Sequence, residues 1–221
     1  RHSRAKSFFI RSEPIQLYRF FVPLDVATDK RVIASAGAAA IAAVAPRSIL
    51  TGSGGSGKSM IMRHILLSSL LTREKIPVFL ELRTVDLQSG TLEDALVGSM
   101  NANGLEIDVA YFRLALAEGH FALLLDGFDE LDKRSRDKVA AAVQSLAEKY
   151  PDNWIVLSSR PDPELHGWTA FTLLRVSPLS LDKAIALVER LDFDADIKTR
   201  FIKDLRSELF TRHQSFLSNP L

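Results

Sequence analysis

The chain contains no cysteine among its 221 residues. That excludes disulfides, thiolate nucleophiles and cysteine-held zinc, and it fits a reducing, cytoplasmic setting. Long hydrophobic runs are also missing. The longest candidate, residues 33–44, is alanine-rich, carries Ser35 and Gly37, and falls short of the roughly 20 residues a membrane-spanning helix needs. The same stretch lies too far into the chain for a signal peptide. Neither sign of charge is in excess: 28 Lys and Arg against 27 Asp and Glu leave a net charge of +1, which implies no global pull toward nucleic acid or a membrane. The five histidines, His2, His64, His120, His166 and His213, show no close pairing that would suit a metal. Asp192, Asp194 and Asp196 alternate as in a calcium loop, but Ile197 stands where the turn needs glycine and Lys203 where a bidentate glutamate belongs.

What remains is a composition of 47% apolar and 25% charged residues, that of a soluble globular protein large enough for one α/β domain and part of another. The start at Arg1 and the stop just after an apolar helical pattern predict a segment of a larger protein. Residues 1–7 are polar and basic and are expected to be mobile. Residues 8–26, rich in Phe8, Phe9, Phe20 and Phe21 and broken by Pro14 and Pro23, read as short extended or helical pieces docking on a core. Residues 28–44 look like a helix ended by Pro46.

From residue 46 onward, strands and helices alternate. Strands are expected at 47–51, 77–82, 121–125, 155–157 and 171–176. Between them lie helices with Leu92, Leu96 and Met100, with Val109, Phe112 and Leu116, and with Val139, Val143 and Leu146 on their apolar faces. The unbroken apolar runs at 121–125 and 155–157 suit strands buried on both faces of a parallel sheet. The expected fold is therefore α/β, a doubly wound parallel sheet of the P-loop NTPase kind. After Ser177-Pro178 the pattern turns purely helical. We divide the chain into an N-terminal docking segment (1–45), a nucleotide-binding core (46–177) and the first part of a helical domain (178–221).

Gly52-Ser53-Gly54-Gly55-Ser56-Gly57-Lys58-Ser59 satisfies G-x-x-x-x-G-K-[ST] at every fixed position, between an expected strand and an expected helix. The glycines allow successive N–H groups to turn inward around an anion, and the helix N-terminus adds its positive end. Lys58 is expected to bridge the β- and γ-phosphates and Ser59 to ligate Mg²⁺, with Met60 completing the nucleotide-contacting stretch. A flexible Gly-Ser linker would have no use for Gly-Lys-Ser opening a helix.

Leu123-Leu124-Leu125-Asp126-Gly127-Phe128-Asp129-Glu130 ends a buried strand in acid. Asp126 is placed to reach Mg²⁺, and either Asp129 or Glu130 could position the attacking water. The alternative is an acidic helix start that simply favours the dipole. Ile155-Val156-Leu157-Ser158-Ser159-Arg160-Pro161 ends another strand in a cation that would point toward the phosphates. A guanidinium there could sense the γ-phosphate; the alternative is a surface arginine paired with Asp162. Lys133, Arg134, Arg136 and Lys138 read as a solvated helix start.

Together these segments resemble the NACHT family of signal-transducing P-loop ATPases, over roughly residues 46–221. The signal lies in Asp126, a small and an apolar residue, then Asp129-Glu130; in Ser158-Ser159-Arg160-Pro161, similar to the family's sensor arginine; and in Val176-Ser177-Pro178-Leu179-Ser180 after the last core strand. Ser218-Asn219-Pro220-Leu221 resembles the helical-domain motif whose proline, here Pro220, contacts adenine. Phe20-Phe21-Val22-Pro23 resembles the segment lining the adenine pocket. The resemblance implies an ATP/ADP switch with slow turnover that self-associates when triggered, with sensor and effector domains elsewhere, plausible in innate or antiviral defence. A guanine-reading Asn/Thr-Lys-x-Asp signature is absent, which favours adenine. An ADP-locked scaffold and a nucleic-acid-remodelling motor are the competing readings; near-neutral charge argues against the second.

Overall fold

The structure, a computed structural model, describes residues 3–7, 10–87 and 90–220. Phe8, Phe9 and Leu221, singled out in the sequence, lie outside the described residues. Residues 4–7 correct the first expectation: β1 (Arg4–Ser7) pairs antiparallel with β2 (Ile10–Gln16), Arg4 opposite Gln16. A short 3₁₀ turn, Leu17–Arg19, then delivers Phe20 and Phe21 into buried positions.

The helix expected over residues 28–44 is a second correction. β3 (Val26–Ala27) and β4 (Val32–Ile33) form a tight antiparallel pair instead. Between them the Thr28 hydroxyl accepts the N–H groups of Lys30 and Arg31 at 3.2 and 3.1 Å, so a side chain competes with helical hydrogen bonding. Ser35 then takes a left-handed backbone (φ 48°), which no right-handed helix can contain. Only α1 (Ala38–Ala42) is helical, starting after the extended Gly37.

The alternating part follows the expected order: β5 (Arg47–Thr51), α2 (Lys58–Thr72), β6 (Ile76–Glu81), α3 (Leu92–Ala102), α4 (Val109–Ala117), β7 (Phe121–Asp126), α5 (Lys133–Lys149), β8 (Trp154–Ser159) and β9 (Thr172–Val176). Among the described residues these strands build a seven-stranded sheet ordered β4-β3-β9-β5-β8-β7-β6. The five longer strands run parallel, whereas β3 joins β9 antiparallel, so the sheet is mixed at one edge. The fold class is α/β, doubly wound. Alternate residues of each central strand enter opposite cores. Ile49, Leu123, Leu125, Ile155 and Leu157 pack with α3, α4 and α5; Leu50, Leu124 and Val156 pack with α1 and α2. Burial on both faces is why these strands are unbroken apolar runs. The carboxyl ends of β5, β7 and β8 therefore lie side by side at one rim, where ligands of such sheets sit.

Beyond β9 come α6 (Leu181–Arg190), α7 (Ala195–Asp204), a π-helical turn (Leu205–Leu209), and two short helices, α8 (Phe210–Arg212) and α9 (Gln214–Leu217). Ala184, Ile185, Leu205 and Phe210 give this part an apolar cluster of its own. Asp194 uses its carboxylate to cap α7, accepting the N–H groups of Asp196 and Ile197, a role that accounts for the acid at that position. Among the described residues no helix is long and apolar enough to cross a membrane.

Candidate nucleotide site

β5 ends at Thr51, whose hydroxyl donates to the Leu174 carbonyl at 3.3 Å and anchors the start of the loop. Gly55 and Gly57 both take left-handed backbone (φ 77° and 90°), the conformations that turn a chain around an anion. A side chain at Gly57 would also collide, its Cβ falling 2.6 Å from Leu24 Cδ1. α2 opens at Lys58, directly after that turn. The Lys58 ammonium folds back over the loop and donates to the carbonyls of Gly52 (2.6 Å) and Ser53 (2.9 Å). Burial pushes its pKa down, with Asp129 opposing that shift. Within the loop the buried Ser56 hydroxyl has no hydrogen-bond partner among the described residues.

Across from the loop, β7 ends at Asp126. Its carboxylate accepts the Ser158 hydroxyl from the neighbouring β8 and is hydrogen-bonded to Ser59, while burial raises its pKa. Ser158 in turn accepts the Gly127 N–H at 2.9 Å, so one serine fixes both the carboxylate and the turn after it. The chain then bends through the left-handed Gly127 into the 3₁₀ turn Phe128–Glu130. Asp129 has both oxygens engaged: Oδ1 accepts the Arg160 backbone N–H at 3.0 Å and Oδ2 faces Arg160 Nε at 2.9 Å. Its side chain is 18% exposed, that of Arg160 67%. The Arg160 guanidinium reaches the phosphate loop as well, lying 3.9 Å from where a Cβ on Gly54 would sit.

The alternative pairing of Arg160 with Asp162 is thus overturned. Asp162 pairs with Arg136 at 3.2 Å, and Arg136 also donates to the carbonyls of Asp129 and Leu131 and lies over the Phe128 ring. Arg136 is accordingly a structural tie between two loops instead of part of a solvated helix start. Glu130 meets Arg83 at 3.8 Å, and Arg83 is bound more closely to Glu81. Sequence reasoning passed over Arg83 and over the role of Ser158. The signal for Ser158, a hydroxyl ending a buried strand beside an acidic one, was present in the motif.

The other end of the site is apolar. Phe20, Phe21, Val22 and Leu24 face Leu179, Leu187 and Leu191, and with residues 54–60, Asp126, Asp129, Glu130, Arg160 and Pro220 they line one cavity of about 210 Å³. Pro220 comes within 3.5 Å of a Cβ placed on Gly57. Asn219 donates to the Gly54 carbonyl at 3.5 Å, and the Ser218 carbonyl accepts the Leu179 N–H at 2.8 Å, so the end of the chain is drawn onto the loop. Gly52 and Ser53 do not line the cavity; they serve as the carbonyl partners of Lys58. The glycine cradle, the unpartnered Ser56 hydroxyl and the paired hard oxygens of Ser59 and Asp126 fit a magnesium-bound polyphosphate.

Comparison with solved structures returns remote fold relatives. AMPPCP-bound DnaA from Aquifex aeolicus is 13% identical with a TM-score of 0.44, over 77% of this chain and 56% of that one. Domain III of the Thermotoga maritima replication initiation protein DnaA is 13% identical with a TM-score of 0.46, over 78% of each chain. The replication initiator DnaA bound to AMPPCP and single-stranded DNA gives 12% identity and a TM-score of 0.43, over 75% of this chain and 55% of that one. The match thus spans little more than half the length of two of these three chains. No curated protein matches. The NACHT domain family model matches residues 46–195, from the strand before the phosphate loop into the helices beyond β9. That span is more than half of the chain and carries the phosphate loop, the acidic strand end and Arg160, and the chain belongs to the NACHT family of nucleotide-binding P-loop NTPases.

Proposed function

We propose that this chain is the nucleotide-sensing core of an ATP/ADP switch that hydrolyses ATP slowly and changes its assembly state with the nucleotide. The observation that carries this reading is the convergence of Lys58, the Asp129–Arg160 pair and Pro220 on one cavity. Phosphate-sensing groups of the sheet and a residue from the helical part thereby face the same ligand. In this reading Ser59 and Asp126 hold Mg²⁺, which neutralises phosphate charge when bound. Lys58 would exchange its two loop carbonyls for the phosphates. The loop N–H groups hold the phosphate chain, and the apolar end takes adenine.

Of the two acids left open by the sequence, the geometry favours Glu130 for positioning water. Asp129 has both oxygens committed to Arg160, whereas Glu130 is half exposed and held only at 3.8 Å by Arg83. Asp129 then orients Arg160, and Arg160 senses the γ-phosphate. Self-association, cytoplasmic residence, sensor and effector domains outside this segment, and a role in innate or antiviral defence belong to the same proposal.

Isothermal titration with Mg-ATP, with phosphate release followed in parallel, tests it. We expect binding and slow hydrolysis, with binding weakened at least about a hundredfold in Lys58→Ala. Unchanged binding in that variant would sink the reading. An ADP-locked scaffold is the second reading, favoured by the closed bonding of Lys58 and Asp129 within the protein. Detectable turnover would exclude it.

A further inference from the structure

Two cations on one face of α6 hold the apolar end of the cavity together. Lys183 Nζ donates to the Pro23 carbonyl at 2.8 Å and forms an ion pair with Asp25 in a site where both side chains are largely covered (19% and 24% exposed). Seven residues on, two turns along the same face, Arg190 Nη1 donates to the Phe21 carbonyl. Between them Leu187 enters the cavity, and Leu191 follows. Asp25 is a junction in its own right. Its carboxylate also accepts the Ser35 N–H at 2.7 Å, and its carbonyl accepts the Ser177 N–H at 2.9 Å.

Pro23 has no N–H and that of Phe21 is taken by the Leu17 carbonyl at 2.9 Å, so each offers α6 a carbonyl, which is held most firmly by a cation. The two opposing walls of the apolar end, residues 20–24 and α6, are far apart in sequence, and no sheet hydrogen bond links them directly. The β3–β9 pairing and the Ser177 N–H bond to the Asp25 carbonyl join the walls at their base; further along, among the described residues, they are tied by these two side chains and by apolar contact.

We propose that Lys183 and Arg190 are positioning residues for the base of the nucleotide: they set the width of the apolar slot without touching the ligand, while the phosphate end stands independently. This rests on the cavity being a nucleotide site. It separates the two ends of the ligand energetically, because the phosphate end is braced by β5, β7 and β8 and the base end by this latch.

The test compares Mg-ATP with Mg-tripolyphosphate, which carries the phosphates but no base, by isothermal titration on the whole chain. In Lys183→Met we expect ATP affinity to fall about tenfold, the worth of one charge-assisted hydrogen bond, with tripolyphosphate affinity unchanged. Lys183→Arg should restore ATP binding. If Lys183→Met does not fold, Arg190→Gln carries the same comparison from the other end of the latch. Equal losses for both ligands, or no loss for ATP, would overturn the proposal. Lys58→Ala, run alongside, keeps the two readings apart. If it abolishes binding while the latch variants leave the ratio of the two ligands alone, only the latch fails. If it changes nothing, the nucleotide reading fails and the latch with it.

Discussion

The proposed phosphate end and the proposed base end of this cavity are built by opposite strategies. The phosphate end comes from eight consecutive residues plus three strand termini that the parallel register places side by side. Its chemistry is backbone N–H groups, left-handed glycines and charge, all local properties. The base end is assembled from residues 20–24, from α6 with its flanking leucines, and from Pro220, which is to say from both ends of the chain. It offers only shape and apolar surface, and it is closed by side chains reaching to carbonyls. A local device tolerates change elsewhere in the molecule; an assembled one answers to it. In the proposed switch, the base end is therefore where a nucleotide would feel, and would alter, the position of the helical part.

Five substitutions bear on this contrast. The largest effect should come from Gly57→Val, which breaks the phosphate end outright. It forces a side chain into φ 90° and against Leu24. We expect Mg-ATP binding to fall by more than about a hundredfold and folding stability by about 2 kcal/mol, read by titration calorimetry and thermal melting. Next, Glu130→Gln should cut phosphate release about a hundredfold while retaining ATP binding. Asp129→Asn should instead disturb Arg160, weakening nucleotide discrimination more than turnover, and the reverse pattern would exchange the roles of the two acids.

Arg160→Ala should lower the ratio of ATP to ADP affinity about tenfold, because in the proposed role only the triphosphate would meet the guanidinium. Equal losses for ATP and ADP would remove the sensor role. The smallest effect lies behind the base end, where His64 meets the Tyr18 hydroxyl at 3.0 Å and packs on Phe21. Burial lowers the His64 pKa below 6.5, so the folded protein binds fewer protons there than the unfolded chain as the pH falls. Stability is therefore lost as pH drops below about 6.5 and down through the lowered value. The ring remains partly accessible, so we expect a Tm loss of only roughly 2 °C between pH 7 and pH 5.5, diminished in His64→Gln.

How much of this was legible beforehand follows the same division. Residues 52–59 announced a phosphate loop because its conformational demands are met by its own glycines. Leu123, Leu124 and Leu125 announced a central strand because both its faces are buried. The short strands Val26–Ala27 and Val32–Ile33 were hidden, since two residues leave no period to read and the alanine-rich stretch after them imitates a longer helix. Arg136 looked like one member of a basic run. Its partners, the carbonyls of Asp129 and Leu131 and the carboxylate of Asp162, belong to loops that meet only on folding. Arg160 was expected near the phosphate loop and is found there, but its partner proved to be Asp129 and not Asp162, its near neighbour in sequence.

By itself, then, the sequence determined that this is an α/β P-loop protein with an acidic strand end and a following arginine, because those features depend on local backbone conformation and on burial patterns that repeat along the chain. Only the tertiary structure decided which acid holds the arginine and how Lys183 and Arg190 tie α6 to residues 21–25. It alone brought Pro220 against Gly57. Such contacts depend on distances between segments remote in sequence, and pairings of that kind leave no periodic trace in the order of residues.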